Sequence, residues 1–316
     1  MTKLLISRAL PDSVMDIARA RFDVTTRPTT QPMTHAECVA ALRDHDIVLP
    51  TLGDAFTASA FTQAGVLRCK LLANFGVGYN HIDAAAAQAA GVAVTNTPGA
   101  VTDATADIAM ALMLMTARRA GEGERLVRAG AWDGWHPTQM LGLHVSGKTV
   151  GIVGIGRIGQ AIARRCHFGF GMDVVYYNRS QKVVDFPARQ LGSLAEVMAA
   201  DVVIAAVPGG AATHHLLDAE AFAAMRPHAI FINIARGDVV DEAALITALQ
   251  VGTLAGAGLD VYEFEPQMPD ALIAMENVVL LPHLGTAALE VREAMGHMAL
   301  DNCVAFTEGR ALPNLV

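Results

Sequence analysis

The sequence predicts an α/β protein built on two doubly wound parallel sheets, and three observations predict it. Short β-branched, apolar runs alternate with helix-forming runs along most of the chain, beginning with Leu4–Ser7, Pro11–Ala20 and Phe22–Thr26. The strand candidates are continuously apolar, the pattern of strands covered on both faces, as parallel sheets are. Finally, Lys148 to Gly159, reading KTVGIVGIGRIG, passes from a β-branched strand through Gly154, Gly156 and Gly159 into a helix-forming run.

The elements follow in order. After the first strand, helix and second strand, Thr34–Arg43 reads as a helix, with Thr34 as N-cap and Glu37 three residues on completing a capping box. Asp46–Pro50, Lys70–Asn74 and Gly91–Asn96 are further buried strands, with Thr57–Ala64 and Ile82–Ala90 as helices between them. This first region carries no nucleotide fingerprint. Thr97-Pro98-Gly99 punctuates the chain, and Thr102–Gly130 reads as one long helix, rich in Ala, Met and Leu up to Ala117 and charged beyond. It is either core or a subunit-interface element. The glycine strand and those at Val174–Tyr177, Val202–Val207, Ile230–Ile234, Ala255–Asp260 and Val278–Leu281 supply a six-strand dinucleotide fold, with helices such as Glu242–Gln250 between. A last helix, Ala287–Glu308, reaches the C-terminus.

Composition removes several classes. Of 316 residues, 53% are apolar and 17% charged, ample material for two buried cores. A formal net charge of −8 and scattered Lys and Arg exclude a nucleic-acid stripe or an anionic-membrane patch. Cys38, Cys69, Cys166 and Cys303 stand far apart without CxxC spacing and read as reduced thiols. Met1 leads directly into a strand too short for a signal segment, and the apolar run Ile108–Ala117 is too short to span a bilayer. The expectation is a cytoplasmic protein. His214-His215, His136 and His81 have no acidic or cysteine partners at ligand spacing, so no metal site is expected.

The glycine stretch states its chemistry. Gly154 permits the tight turn, Gly156 close approach of backbone to phosphate, and Gly159 close helix–strand packing, with the pyrophosphate on the helix N-terminus. At the end of the second strand, dinucleotide sites that prefer NAD place an acid. This chain reads Tyr177-Asn178-Arg179-Ser180, where Arg179 and Ser180 offer charge and hydroxyl to a 2′-phosphate. NADP is therefore expected, with NAD as the alternative; Arg179 as a plain solvated charge is the other reading.

Linked motifs then carry a resemblance. Phe75-Gly-Val-Gly-Tyr-Asn-His-Ile-Asp83, Asn96-Thr-Pro-Gly-Ala-Val-Thr-Asp-Ala-Thr-Ala-Asp107, the glycine fingerprint, Asn233-Ile-Ala-Arg-Gly237, Gly256-Ala-Gly-Leu-Asp-Val-Tyr-Glu263 and Pro282-His-Leu-Gly-Thr286 appear in this order. Together they resemble the D-isomer-specific 2-hydroxyacid dehydrogenases, and within them the glyoxylate/hydroxypyruvate reductase branch. The resemblance covers nearly the whole chain. It implies a Rossmann cofactor domain, residues 100–285, inserted into a flavodoxin-like substrate domain of residues 1–99 and 286–316, with a cleft that closes on hinges near Pro98-Gly99 and Leu284-Gly285.

It also implies an NAD(P)-dependent enzyme reducing a small 2-keto acid such as glyoxylate or hydroxypyruvate to the D-2-hydroxy acid. Arg236 resembles the residue that grips the carboxylate, His283 the proton donor and Glu265 its partner, with Glu263 as an alternative partner. Leu52, Asn74, Val77 and Gly78 are the other implied substrate contacts. Asn74 stands where phosphoglycerate dehydrogenases carry Arg, which points to a substrate without phosphate. Thr105, Arg157, Ile158, Val207, Pro208, Thr213, Ile234, Ala235, Asp260 and Gly285 are implied cofactor contacts, with Asp260 receiving the nicotinamide carboxamide. The loop Pro208–Thr213 departs from the bulkier, more polar pattern of relatives. Trp132 and Trp135 match a segment reaching the partner subunit, so a homodimer through Thr102–Gly130 and Trp132–Trp135 is expected. Other readings are a non-enzymatic, cofactor-sensing module on the same scaffold, a D-lactate or other 2-hydroxyacid dehydrogenase, and a formate-type dehydrogenase. The last carries Gln where Glu265 stands here.

Overall fold

Alternation along each strand divides the apolar residues between two cores, one on either face of each sheet. The computed structural model describes residues 1–316 and separates into two compact units, one of Met1–Val101 with Thr286–Val316 and one of Thr102–Gly285.

The first unit opens with β1 (Lys3–Ile6), α1 (Asp12–Arg21), β2 (Asp23–Thr26), α2 (His35–Asp44), β3 (Ile47–Leu49), α3 (Ala58–Ala64), β4 (Leu71–Ala73), α4 (Ala84–Ala89) and β5 (Ala93–Thr95). Its five strands pair in the order β2-β1-β3-β4-β5, all parallel, the doubly wound order of flavodoxin-like folds. Leu4 and Ile6 face one core with Ile47 and Leu49, while Leu5 faces the other with Val48. The capping box of α2 is formed, Thr34 N–H donating to Glu37 Oε2 at 2.7 Å.

The second unit holds α5 (Thr102–Ala117), α6 (Ala120–Arg128), β6 (Thr149–Val153), α7 (Arg157–Arg164), β7 (Asp173–Tyr177), β8 (Arg189–Gln190), α8 (Leu194–Met198), β9 (Val202–Ala205), α9 (Ala219–Ala223), β10 (Ile230–Asn233), α10 (Glu242–Gln250), β11 (Gly256–Leu259), α11 (Asp270–Ile273) and β12 (Val278–Leu280). Its order, β12-β11-β10-β9-β6-β7-β8, is the parallel 3-2-1-4-5-6 arrangement of a Rossmann sheet with one further strand. Val150, Ile152, Ile230 and Ile232 enter one core, and Val153 and Phe231 the opposite one. The chain then returns to the first unit through α12 (Leu289–Thr307), whose Ala299, Leu300 and Cys303 complete the core around Leu4 and Ile6.

Two expectations are corrected. The single helix Thr102–Gly130 is two helices, broken at Arg118-Arg119, where Arg119 adopts a left-handed φ of 53°. The Ala117 carbonyl accepts the Leu143 N–H at 2.7 Å, which ties the end of α5 to a distant loop. The second sheet has seven strands, not six, because β8 joins its edge. β8 is only Arg189-Gln190, so no apolar run announced it. No helix is long and apolar enough to cross a membrane. The four cysteines are buried and unpaired, and burial pushes the Cys38, Cys69 and Cys166 thiols up to about 12.

Candidate functional site

In the second unit, the neighbouring strands β6 and β9 lie where strand order reverses, and their carboxyl ends carry the glycine turn and the loop after Ala205. Gly154 has a φ of 96°, and a Cβ there would stand 2.6 Å from Val207 Cγ1. At Gly159 a Cβ would meet the Gly154 carbonyl oxygen at 2.1 Å, so α7 can pack this closely only without one. Around Gly156, the N-cap of α7, nothing lies within 4 Å of the Cβ position. Contact on two sides and room on the third suit a pyrophosphate on the helix N-terminus.

Arg157 is exposed there and Ile158 half-buried; Val207 is half-buried and Pro208 exposed. Ile234 and Ala235, just past β10, are buried. Thr213 folds inward, donating to the Pro208 carbonyl at 2.6 Å, which closes the short loop on itself. At the end of β7, Asn178 donates to the Ser180 carbonyl at 2.7 Å and accepts at its own carbonyl from Gln190 at 2.9 Å. That turn leaves Arg179 and Ser180 exposed.

Three polar side chains from separate loops interact in the same unit. His283 Nδ1 lies 2.9 Å from Glu265 Oε2, with the two side chains 29% and 30% exposed. The other Glu265 oxygen accepts the Tyr262 N–H at 3.0 Å. Burial would raise the Glu265 carboxyl, but the His283 hydrogen bond and charge, the Tyr262 N–H and the Arg236 charge together hold it below the usual range. Arg236 follows β10 and donates from Nη1 to the Ala235 carbonyl at 2.6 Å. Burial lowers its pKa, opposed by the charges of Glu265 and Asp238. Glu263 is not at His283; the structure brings Glu265 there.

His283 itself sits at a left-handed φ of 54°. Asp260 fixes that turn: its Oδ1 accepts Leu284 N–H at 2.6 Å and its Oδ2 accepts Gly285 N–H at 2.8 Å. Thr105 adds a bond to the Gly285 carbonyl at 3.2 Å. Asp260 is 1% exposed, and burial raises its carboxyl against those two N–H groups and the His283 charge. Both oxygens thus hold the backbone beside His283, a task the sequence reading did not assign.

In the first unit, Val77 and Gly78 lie half-buried in the loop after β4, and Leu52 is 38% exposed beyond β3. Asn74 departs from the expected substrate contact. It is 1% exposed, and its amide is turned into the fold against the Gly76 and Gly78 carbonyls and His81. Trp132 and Trp135 are 53% and 80% exposed on the irregular segment after α6.

One reading of the sequence is overturned. His215 does have an acidic partner: its Nε2 lies 2.7 Å from Glu263 Oε1, across 48 positions of chain, and its ring stacks on His214 at 4.0 Å. The ligand atoms of His214, His215 and Glu263 lie within 4.8 Å of one another.

The Glu263 hydrogen bond raises the His215 pKa. A raised folded-state value means the pair's stabilisation is complete below the unfolded value of about 6.5 and lost as pH rises through the folded one. Glu263→Gln is thus expected to lower Tm more at pH 6 than at pH 9; equal losses at both would exclude a charged pair.

Residues 110–285 match the family model described as D-isomer specific 2-hydroxyacid dehydrogenase, NAD binding domain. A glyoxylate reductase of Pyrococcus furiosus is 42% identical over 99% of this chain and 95% of its own length. The crystal structure of the NADPH-dependent glyoxylate/hydroxypyruvate reductase of Sinorhizobium meliloti, in complex with NADP and malonate, is similar with a TM-score of 0.88. That match is 35% identical and covers 100% of this chain and 96% of the other. A glyoxylate reductase from Paecilomyes thermophila has the same TM-score of 0.88 at 30% identity, covering 100% of this chain and 98% of its own.

Proposed function

Because this chain belongs to the D-isomer-specific 2-hydroxyacid dehydrogenase family and is an NAD(P)-dependent oxidoreductase, we propose that it reduces small 2-keto acids, glyoxylate and hydroxypyruvate foremost, with NADPH. The observation that carries this reading is the linked set Arg236, Glu265 and His283 in the unit that holds the glycine turn.

The turn from Gly154 to Gly159 would hold the pyrophosphate, and residues at the ends of β9 and β10 the rest of the dinucleotide. When bound, the nicotinamide supplies a hydride to the carbonyl carbon of the keto acid. Arg236 grips the carboxylate and polarises the adjacent carbonyl, because a planar guanidinium matches two oxygens at once. Glu265 occupies the Nδ1 side of His283, so Nε2 is the atom that gives a proton to the developing alkoxide. The depressed Glu265 pKa keeps a carboxylate beside the ring throughout the neutral range, where it holds the Nδ1 side and fixes the ring's orientation. Val77 and Gly78 offer backbone N–H groups to the substrate carboxylate. Residues 1–99 with 286–316 are proposed as the substrate domain and residues 100–285 as the cofactor domain.

A panel of glyoxylate, hydroxypyruvate and pyruvate with NADPH and with NADH tests the reading; if none consumes either cofactor, it fails. The cofactor preference rests on the exposed Arg179-Ser180 pair and the missing acid after β7. Arg179→Ala should lower the ratio of NADPH to NADH efficiency about tenfold, the worth of one charge-assisted contact. An unchanged ratio would leave Arg179 a solvated charge. A cytoplasmic homodimer, with contacts from Thr102–Gly130 and the exposed Trp132 and Trp135, completes the proposal.

A further inference from the structure

We propose that Asn74 and Asn96 are positioning residues that turn the backbone N–H groups of Val77, Gly78 and Tyr79 out of the first unit as a preformed seat for the substrate's carboxylate. The inference rests on the keto-acid reading above and names what builds that part of the site.

The Asn74 side chain has two N–H donors and one carbonyl acceptor, and all are used. Its Nδ2 donates to the Gly76 carbonyl at 3.0 Å and to the Gly78 carbonyl at 3.0 Å. Its Oδ1 lies 3.0 Å from His81 Nε2. Two carbonyls on the amide nitrogen leave one orientation for the group, which makes His81 Nε2 the donor of the third bond. Asn96 Nδ2 donates to the carbonyl between them, that of Val77, at 2.9 Å. The Gly76 carbonyl also accepts the Thr97 N–H at 3.0 Å.

In a trans peptide the C=O of one residue and the N–H of the next point in opposite directions. Holding the Gly76 and Gly78 carbonyls on Asn74 therefore turns the Val77 and Tyr79 N–H groups away from it. Holding the Val77 carbonyl on Asn96 turns the Gly78 N–H away from Asn96. None of these three N–H groups donates to an acceptor within the chain, and their residues are half-buried or, for Tyr79, exposed. Successive free N–H groups in a loop form a concavity for an anion. Asn74 is itself buried, so it acts on the substrate only through the loop. An arginine at this position would bring a charge; the asparagine supplies geometry alone.

The test uses the full-length enzyme with glyoxylate as substrate and oxamate as an unreactive carboxylate probe. Asn74→Asp keeps the shape but sets an oxygen against two carbonyls, and Asn96→Ala removes one tether. The KM for glyoxylate and the inhibition constant of oxamate should rise at least tenfold in Asn74→Asp and severalfold in Asn96→Ala. The kcat at saturation should stay within about threefold and the NADPH dissociation constant unchanged, because a contact made alike in ground and transition states moves KM alone. KM and oxamate inhibition within twofold of wild type would overturn the inference, as would losses of kcat and NADPH affinity in step with KM. If Asn74→Asp does not fold, as judged by its thermal melt, Asn96→Ala decides alone. A wild-type enzyme inert toward every 2-keto acid would instead sink the reading on which the inference stands.

Discussion

Replacing Arg236 with Gln is expected to lower kcat/KM for glyoxylate on the order of a thousandfold while leaving NADPH affinity unchanged. The guanidinium has five N–H donors, and its one hydrogen bond within the chain is to the Ala235 carbonyl at 2.6 Å. The rest of the fork is free for a substrate. Its seat is narrow: at the following residue, Gly237, a Cβ would lie 1.8 Å from the Tyr262 carbonyl oxygen. Burial disfavours the charge, and Glu265 and Asp238 offset that cost. Losing one partner of a desolvated charge pair costs about 3–5 kcal/mol, which converts to roughly two to four decades in rate at about 1.4 kcal/mol per decade. Arg236→Lys keeps the charge but loses the planar fork, so it should recover only part of the activity. A Gln variant within tenfold of wild type would remove Arg236 from substrate binding.

The second large effect is expected at His283. His283→Gln should lower kcat by about a hundredfold to ten-thousandfold, the usual worth of a positioned general acid, with little change in glyoxylate KM. Glu265→Gln should cost less and change the pH dependence. The Glu265 pKa is depressed, so its charge persists above the unfolded value of about 4.3 and is lost only as pH falls through the lower folded value. Near neutrality the wild type therefore keeps the anion beside the imidazole, and the Gln variant does not. The ratio of wild-type to Glu265→Gln kcat/KM should therefore be largest near neutrality and shrink as pH falls through the folded Glu265 value. A ratio that does not change with pH would show that Glu265 does not act through its charge.

Local patterns were legible directly. Thr34 with Glu37, the KTVGIVGIGRIG stretch and the continuously apolar strands each state their structure within a few residues, because caps, glycine turns and strand burial are set by neighbours in sequence. The family motifs, read in order, pointed to Arg236, Glu265 and His283. Between Glu263 and Glu265 the sequence left a choice, since both are acids on one short segment. The fold settles which one reaches His283 by giving Glu263 to His215.

What the tertiary structure alone decided concerns partners far apart in the chain. At the break in Thr102–Gly130, Arg119 is left-handed and the Leu143 N–H meets the Ala117 carbonyl. The Asp260 carboxylate is engaged by N–H groups 24 and 25 positions away, and the pairing of His215 with Glu263 spans 48 positions. Asn74 looked like a pocket residue because of what relatives carry there; its burial, and the carbonyls it holds, appear only once the Gly76–Tyr79 loop has folded back over it. By itself the sequence determined the two parallel sheets and the glycine turn, and it named the residues proposed for the chemistry. Direction is the part it left open: which way a carboxylate, an amide or an N–H group points is set by packing between distant segments, and no periodicity in the chain records it.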